Sequence, residues 1–124
     1  MPTGIERLIR EIKNHQDYPK AGMILCHNGV VRSTSRDGRP VTGLTVKVDH
    51  ARLQTIVEKG RKQPGIIDVL VEIKENKRLS VGDDVMYLVV AGDIREHVLS
   101  TLTSTLEAIK STVTHKTEYF REDR

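Results

Sequence analysis

Four positively charged residues lie near the ends of predicted helices and strands, where they could hold an anionic substrate. Arg32 directly follows a predicted strand, and Arg95 lies in the first turn of a long predicted helix. Lys110 is near the end of that helix and Lys116 follows it. Fixed cations bind phosphates and carboxylates well, although most such residues are solvated surface charges. Their placement therefore predicts an anion site only if the fold brings them together.

The helix itself separates two of these cations. Arg95 and Lys110 are 15 residues apart, which corresponds to nearly the same helix face but to roughly 22 Å along the axis. One small ligand could contact both within a single subunit only if the helix were bent. A neighbouring chain could also supply one of the two.

Other kinds of chemistry have little support in the sequence. Cys26 is the only cysteine and has no neighbouring signature of a nucleophile, so we interpret it as a small buried hydrophobic residue in a reducing compartment. No glycine-rich phosphate loop follows a predicted strand, and we expect no cofactor. No metal is expected either, because the histidines are scattered and form no spaced ligand set: His15, His27, His50, His97 and His115.

Helical periodicity predicts three helices that would position the cations. The first covers about residues 4–15, with Thr3 and Glu6 as a capping box. Asp49 is predicted to cap the second, which ends near Gly60. The third begins at Asp93, paired with Glu96 in another capping box, and runs for four to five turns.

Four strands complete the predicted order α-β-β-α-β-β-α, at residues 22–31, 41–48, 66–73 and 85–90. The last is expected to be buried on both faces. Residues 32–40 contain no apolar side chain and an Asp37-Gly38 turn signal, which predicts a mobile hairpin loop between the first two strands. The order indicates an α+β fold of antiparallel strands with the long C-terminal helix packed on the sheet.

The composition bounds the class of protein. A chain of 124 residues predicts one domain, 1–124, with an N-terminal helix and linker at 1–20 and a tail at 117–124. Its longest apolar runs are too short to span a bilayer, so a cytoplasmic protein without a membrane partner is expected. The net charge of +3 is mixed and aromatic residues make up 3%. These features argue against nucleic acid as a partner.

The sequence resembles the large, catalytic subunit of molybdopterin synthase, the MoaE-like family, over about residues 22–118. The order and spacing of five features carry the resemblance: the Gly29-Val-Val-Arg32 strand end with its polar loop, the Leu79-Ser-Val-Gly82-Asp-Asp turn, Arg95 opening a long helix, Lys110 15 residues later, and Lys116-Thr-Glu118. The resemblance implies an α/β-hammerhead-like fold. It also implies sulfur transfer to cyclic pyranopterin monophosphate, which forms the dithiolene of molybdopterin.

The resemblance further implies partners and residue roles. Sulfur would arrive as a thiocarboxylate on the Gly-Gly tail of a small ubiquitin-like subunit, and a homodimer would bind two such subunits as a heterotetramer. Lys110 and Lys116 match the family's two lysines and would be catalytic. Arg32 and Arg95 would bind substrate, and His115 would replace a lost hydrogen-bond donor.

Two departures from the family pattern keep other functions open. The family commonly has a histidine before the arginine that opens the last helix, and here that residue is Ile94. It commonly has a proline and an aromatic-tryptophan pair before the second lysine, where this chain has Val113, Thr114 and His115. One alternative is a non-catalytic relative that acts as an interaction module for a ubiquitin-like partner. Another is an unrelated domain that binds an anionic metabolite or nucleic acid.

Overall fold

The computed structural model describes residues 3–121, which form three α-helices, a short 3-10 helix (Tyr18–Lys20) and six strands. The helices are α1 (Ile5–Lys13), α2 (His50–Arg61) and α3 (Arg95–Thr112). The strands are β1 (Met23–Val30), β2 (Val41–Val48), β3 (Ile66–Ile73), β4 (Leu79–Ser80), β5 (Asp84–Gly92) and β6 (Thr114–Phe120). Within these described residues, no helix is both long and apolar enough to cross a membrane.

The first sheet has the order β1-β5-β3, and both pairings are antiparallel. Its central strand β5 is buried on both faces from Met86 to Gly92, as the continuous apolar run predicts. Tyr87 and Val89 pack with Leu8 and Ile12 of α1 on one face. The opposite face of the sheet packs against α2 and α3. The sheet is therefore covered by helices on both sides, which confirms the α+β fold with the long helix packed on the sheet.

The second sheet has the order β4-β2-β6, again antiparallel. Its inner face buries Val31, Leu44, Val46 and Leu79 in a core of their own. Strand β6 pairs with β2 along its length, from Val48↔Thr114 to Val41↔Phe120. This strand was not predicted from the sequence, and residues 117–124 were expected to form a tail. Its own residues are mostly polar, and the pairing with β2 rather than burial makes it a strand.

The hairpin predicted between the first two strands is wrong. Strand β1 pairs with β5 and β2 pairs with β4 and β6, so the loop at 32–40 connects two different sheets. The strands differ in partner because β1 completes the helix-covered sheet while β2 begins the second core. The loop therefore joins the two halves of the fold.

Two of the three predicted helix caps are also wrong. Helix α1 begins after Gly4 without a side-chain cap, so Thr3 forms no capping box. Helix α3 begins after Ile94, and Asp93 instead accepts hydrogen bonds from the Ile94 amide and the His97 ring, at 2.7 Å each. The Asp49 cap is confirmed, because its carboxylate accepts the Arg52 amide at 3.0 Å.

Gly65, in the turn before β3, provides a test of this packing. It has a left-handed φ of +76°, and a Cβ there would collide with the Asp93 carboxylate and the His97 ring. Gly38 has a φ of +86° but open space around it. We expect Gly38→Ala to lower the free energy of unfolding by about 1 kcal/mol, from backbone strain alone. Gly65→Ala should cost about 3 kcal/mol, since the collision adds to that strain. Urea unfolding measures both, and equal losses would contradict the assigned packing.

Candidate anion-binding site

Two adjoining cavities lie where the first sheet, the second sheet and the end of α3 meet. The first, which we call the His27 cavity, has a volume of about 390 Å³ and contains His27, Arg36, Lys110 and Lys116 in its lining. Its remaining walls are mainly apolar side chains of β2, β3 and β5. The second, the loop cavity, has about 520 Å³ and shares Arg36, Lys110 and Lys116 with the first. The three shared cations lie between the two spaces.

The turn from α3 into β6 brings the two lysines together. Lys110 is in the last turn of α3, and Lys116 is the third residue of β6. Between them Val113 is fully buried, and its carbonyl accepts the Asp49 amide at 2.9 Å, which fixes the turn against the start of α2. Lys116 is in register with Val46 of β2, a residue that also lines the His27 cavity. The sequence analysis predicted both lysines as site residues, and the fold gives them one cavity.

The cavities carry an excess of positive charge. Within residues 3–121, Arg32, Arg36, Lys110 and Lys116 have no carboxylate within ion-pair distance. Among the acidic residues of the described range 3–121, Asp37 and Glu118 line the loop cavity and none lines the His27 cavity. Unpaired cations around a concave, partly apolar space suit an anion that carries an apolar or heterocyclic part.

Arg32 contributes to the loop cavity alone. Its Nε donates to the Thr34 carbonyl at 2.9 Å, which directs the guanidinium along the loop rather than into the His27 cavity. Arg36 lines both cavities from the middle of the same loop. The loop thus supplies two arginines to the space that the lysines face.

Two predicted site residues are not brought into the cavities by this chain. Arg95 is at the opposite end of α3 from Lys110, its side chain is 75% exposed, and it is near Glu96 at 3.8 Å. His115 is in register with Lys47 and alternates with Lys116, so it lies on the other face of the second sheet. Neither residue lines the His27 cavity or the loop cavity.

His27 is a cavity residue that the sequence analysis missed. It alternates with Cys26 and Asn28 along β1, so its side chain lies on the face that carries Leu25 and Gly29. Burial, and to a smaller extent the nearby Lys110 ammonium, lowers the pKa of His27 below its ordinary value. Leu25 and His27 are two residues apart on a predicted strand, and this spacing could have indicated that His27 faces the core. His27 was considered only as a metal ligand.

Cys26 differs from its prediction as a buried residue, because it is exposed on β1. The packing around the thiol still raises the pKa of Cys26 through desolvation. The thiol form is thereby favoured, and the residue lies on the face of β1 opposite His27. It takes no part in the cavity.

The loop at 32–40 is closed by its own hydrogen bonds. Ser35 is 8% exposed, its amide donates to the Arg39 carbonyl at 2.9 Å, and the Arg39 amide donates to Ser35 Oγ at 3.1 Å. The Ser35 hydroxyl donates to the Asp37 carboxylate, which lowers the pKa of that carboxyl. Arg39 stacks on Phe120 at 3.7 Å. A buried serine thus anchors a loop that has no apolar residue.

Comparison with known proteins adds family and fold to this geometry. The family model described as MoaE protein matches residues 4–112. The structure is similar to molybdopterin synthase from Staphylococcus aureus, with a TM-score of 0.77 and 20% identity, over 98% of this chain and 88% of that chain. No curated protein matches the chain.

Two further solved structures share the fold. One is a complex of subunits 1 and 2 of molybdopterin-converting factor from Helicobacter pylori, with a TM-score of 0.73 and 16% identity, over 98% of this chain and 82% of that chain. The other is molybdopterin cofactor biosynthesis protein E from Burkholderia multivorans, with a TM-score of 0.74 and 20% identity, over 98% and 84%.

The Ser35 anchor predicts a measurable change in loop opening. Ser35→Ala removes the hydroxyl that bonds the Arg39 amide and Asp37, so amides of residues 36–39 should exchange about fivefold faster, as expected for one lost hydrogen bond. Hydrogen exchange measures this, with β5 amides as the unchanged reference. Ser33→Ala is the matched control, because Ser33 is an exposed serine of the same loop, whereas Ser35 is buried. Phosphate should slow exchange across 32–40, and unchanged exchange would count against a ligand-contacting loop.

Proposed function

The chain belongs to the MoaE protein family, and from that premise we propose that it is the catalytic large subunit of a molybdopterin synthase. The family places the chain in molybdenum cofactor biosynthesis. The proposed reaction is sulfur transfer from a thiocarboxylated small subunit to cyclic pyranopterin monophosphate. Family membership removes the alternative of an unrelated α+β domain. The proposal includes a cytoplasmic setting, in keeping with the single cysteine.

One observation carries the proposal: Lys110 and Lys116, from different elements, line the same cavity. The substrate carries a phosphate and the sulfur donor is an anionic thiocarboxylate, so both reactants need positive charge that is already in place. Arg36, between the two cavities, adds a third cation. The volume of about 390 Å³ suits a small heterocyclic molecule.

We assign different roles to the two lysines. Lys110, at the helix end, engages the carbonyl of the thiocarboxylate tail or transfers a proton. Lys116 binds and polarises the substrate, and Arg32 holds anionic groups in the loop cavity. In each transfer the sulfur forms a bond to a substrate carbon and displaces an oxygen substituent from it. Water then cleaves the acyl C–S bond to the tail, which leaves as a carboxylate.

Lys110 reaches this role only when the cavity is filled. It is an exposed residue in the isolated chain. A tail and a substrate placed over it would exclude water, and a desolvated ammonium gives up its proton more readily. Binding of substrate and tail together would thereby desolvate Lys110 and favour proton transfer from its ammonium group.

We propose two partners, a small subunit and a second copy of this chain, and the second copy would supply the Arg95 that a single chain leaves outside the cavity. A small ubiquitin-like subunit would deliver the tail, which is supported by the subunit 1 and 2 complex of the Helicobacter pylori relative. A second copy of the chain would bring its Arg95 to the cavity, since Arg95 and Lys110 of one chain are at opposite ends of α3. The proposed assembly is a homodimer that binds two small subunits.

A non-catalytic relative is the second candidate, and one observation favours it. Ile94 occupies the position where the family commonly has a histidine, and it is 48% exposed. An isoleucine there supplies no hydrogen bond to an anion. Such a protein would keep the groove for the tail of a ubiquitin-like partner while lacking turnover.

Lysine substitutions test the catalytic proposal. Lys110→Ala should remove nearly all dithiolene formation, while stability is kept because alanine is a good helix former. Lys116→Ala should lower activity strongly, mainly through a higher KM. Lys110→Arg should not restore activity, because guanidinium stays charged. The assay uses purified chain, thiocarboxylated small subunit and precursor.

Lys47→Ala is the matched control for Lys116, because Lys47 is an exposed lysine of β2 on the other face of the same sheet. It should retain wild-type activity. Wild-type activity in Lys110→Ala would refute the catalytic assignment. An inactive wild-type chain that still binds the small subunit would favour the non-catalytic relative.

The assembly is tested separately. Light scattering at micromolar concentration should give the mass of a dimer, and adding small subunit should give a two-to-two complex. A mixed dimer of Lys110→Ala and Arg95→Ala chains should recover activity in one of its two sites, since each intact residue then meets its counterpart. A monomer that binds no small subunit would overturn the assembly.

A further inference from the structure

His27 is a titratable side chain in the cationic cavity, and the proposed function gives it no role. It lines the His27 cavity with Lys110, Lys116 and Arg36. Its Nε2 atom is buried and has no hydrogen-bond partner within residues 3–121. A Cβ at Gly29 would lie 3.4 Å from this nitrogen, so the ring folds along β1 toward Gly29. A buried nitrogen without a partner costs free energy that a bound group could recover.

Within the part of the chain that the structure describes, the charged groups that line the cavity around His27 are all positive. Helix α3 contributes Lys110, β6 contributes Lys116, and the loop at 32–40 contributes Arg36. The parts of β2, β3 and β5 that line the cavity contribute only uncharged side chains. Asp84 of β5 is directed elsewhere, because it accepts hydrogen bonds from the neighbouring Asn28 and from Tyr87, on the other face of β1 and β5. Glu118 of β6 lines the loop cavity and not the His27 cavity.

We propose that His27 is a further anion-binding residue of this cavity, one that takes up a proton as the anion enters. In the empty cavity, burial and the Lys110 charge lower the pKa of His27, which favours the neutral imidazole. A bound anion offsets the positive field of Lys110, Lys116 and Arg36. The pKa of His27 therefore rises, and the additional N–H of the imidazolium donates to the anion.

This linkage makes anion affinity depend on pH. A ligand that raises the proton affinity of His27 must, by reciprocity, bind more tightly where His27 is protonated. Affinity should therefore increase as pH falls through the range in which the bound-state imidazole titrates. The inference uses the anion cavity of the proposed function but not sulfur transfer, so each can fail alone.

Inorganic sulfate is a suitable probe, since its charge stays constant between pH 5.5 and 8. NMR of the full chain would follow the His27 ring signals against pH, with and without sulfate, at constant ionic strength kept with chloride. Sulfate should raise the His27 titration midpoint. Its dissociation constant should be about fivefold lower at pH 5.5 than at pH 8, as a midpoint shift approaching one unit gives.

Two variants separate His27 from the rest of the protein. His27→Gln cannot titrate, so sulfate binding should change less than twofold over the same range. His50→Gln is the matched control, because His50 pairs with Glu75 at 2.8 Å at the start of α2 and lies outside the cavity. It should retain the full pH dependence.

Several outcomes would overturn the inference. An unmoved His27 midpoint in the wild-type chain would do so even if His27→Gln failed to fold. Equal pH dependence in His27→Gln would assign the linkage to another group, and undetectable sulfate binding would reject the cavity as an anion site. A chain with proton-linked sulfate binding but no sulfur transfer would keep this inference and reject the proposed function.

Discussion

The structure depends on one central strand whose two edges are hydrogen-bonded and whose two faces are buried. Strand β5 is hydrogen-bonded to β1 along one edge and to β3 along the other, and its side chains from Met86 to Gly92 are buried on both faces. From Leu88 to Gly92 these side chains serve packing, whereas Val85 and Met86 at the start of the strand also line the His27 cavity. Every cavity residue of the first sheet is held through it: His27 is in register with Leu88, and Gly29 with Met86. The chemistry lies at the rim of this core, where β1 ends and the second sheet begins.

The cavity concentrates charges that repel one another. Lys110, Lys116 and Arg36 share a boundary without a carboxylate partner within residues 3–121. Other cations of the fold have carboxylate partners, as for Arg61 with Asp68 and Lys74 with Glu72. Like charges held together lower stability, and the lowered pKa of His27 records part of that field. An arrangement that costs stability without a ligand is typical of a binding site.

The sequence predicted those parts of the fold that depend on local pattern. Strands β2 and β3 have the predicted bounds, because alternation of apolar and polar residues reports a half-buried strand directly. Asp49 was found as a cap because its hydrogen bond is local. Strand β6 was missed because its seven residues, Thr114–Phe120, form a strand only against β2. The partner of β1 was wrong for the same reason.

The site was predictable only in part. Lys110 and Lys116 were identified through a family pattern, and the fold brings them to one cavity. His115 is a residue type that is common in binding sites, but side chains alternate along a strand, so His115 lies on the face opposite Lys116. His27 lies on the face of β1 that lines the cavity. The residues next to it in sequence do not indicate that the loop, α3 and β6 place cations beside it. Residue type can be read locally, whereas juxtaposition depends on tertiary structure.

The pairing of β2 with β6 has a consequence for folding. These strands are separated in sequence by α2, β3, β4, β5 and α3, so their pairing is a contact of high contact order. Such contacts must overcome the entropy of closing a long loop, and they generally form after local structure. Lys116 reaches the cavity only through that pairing. A chain with its helices and first sheet formed could therefore be compact and still lack an anion pocket, which makes the pocket a marker of completed folding.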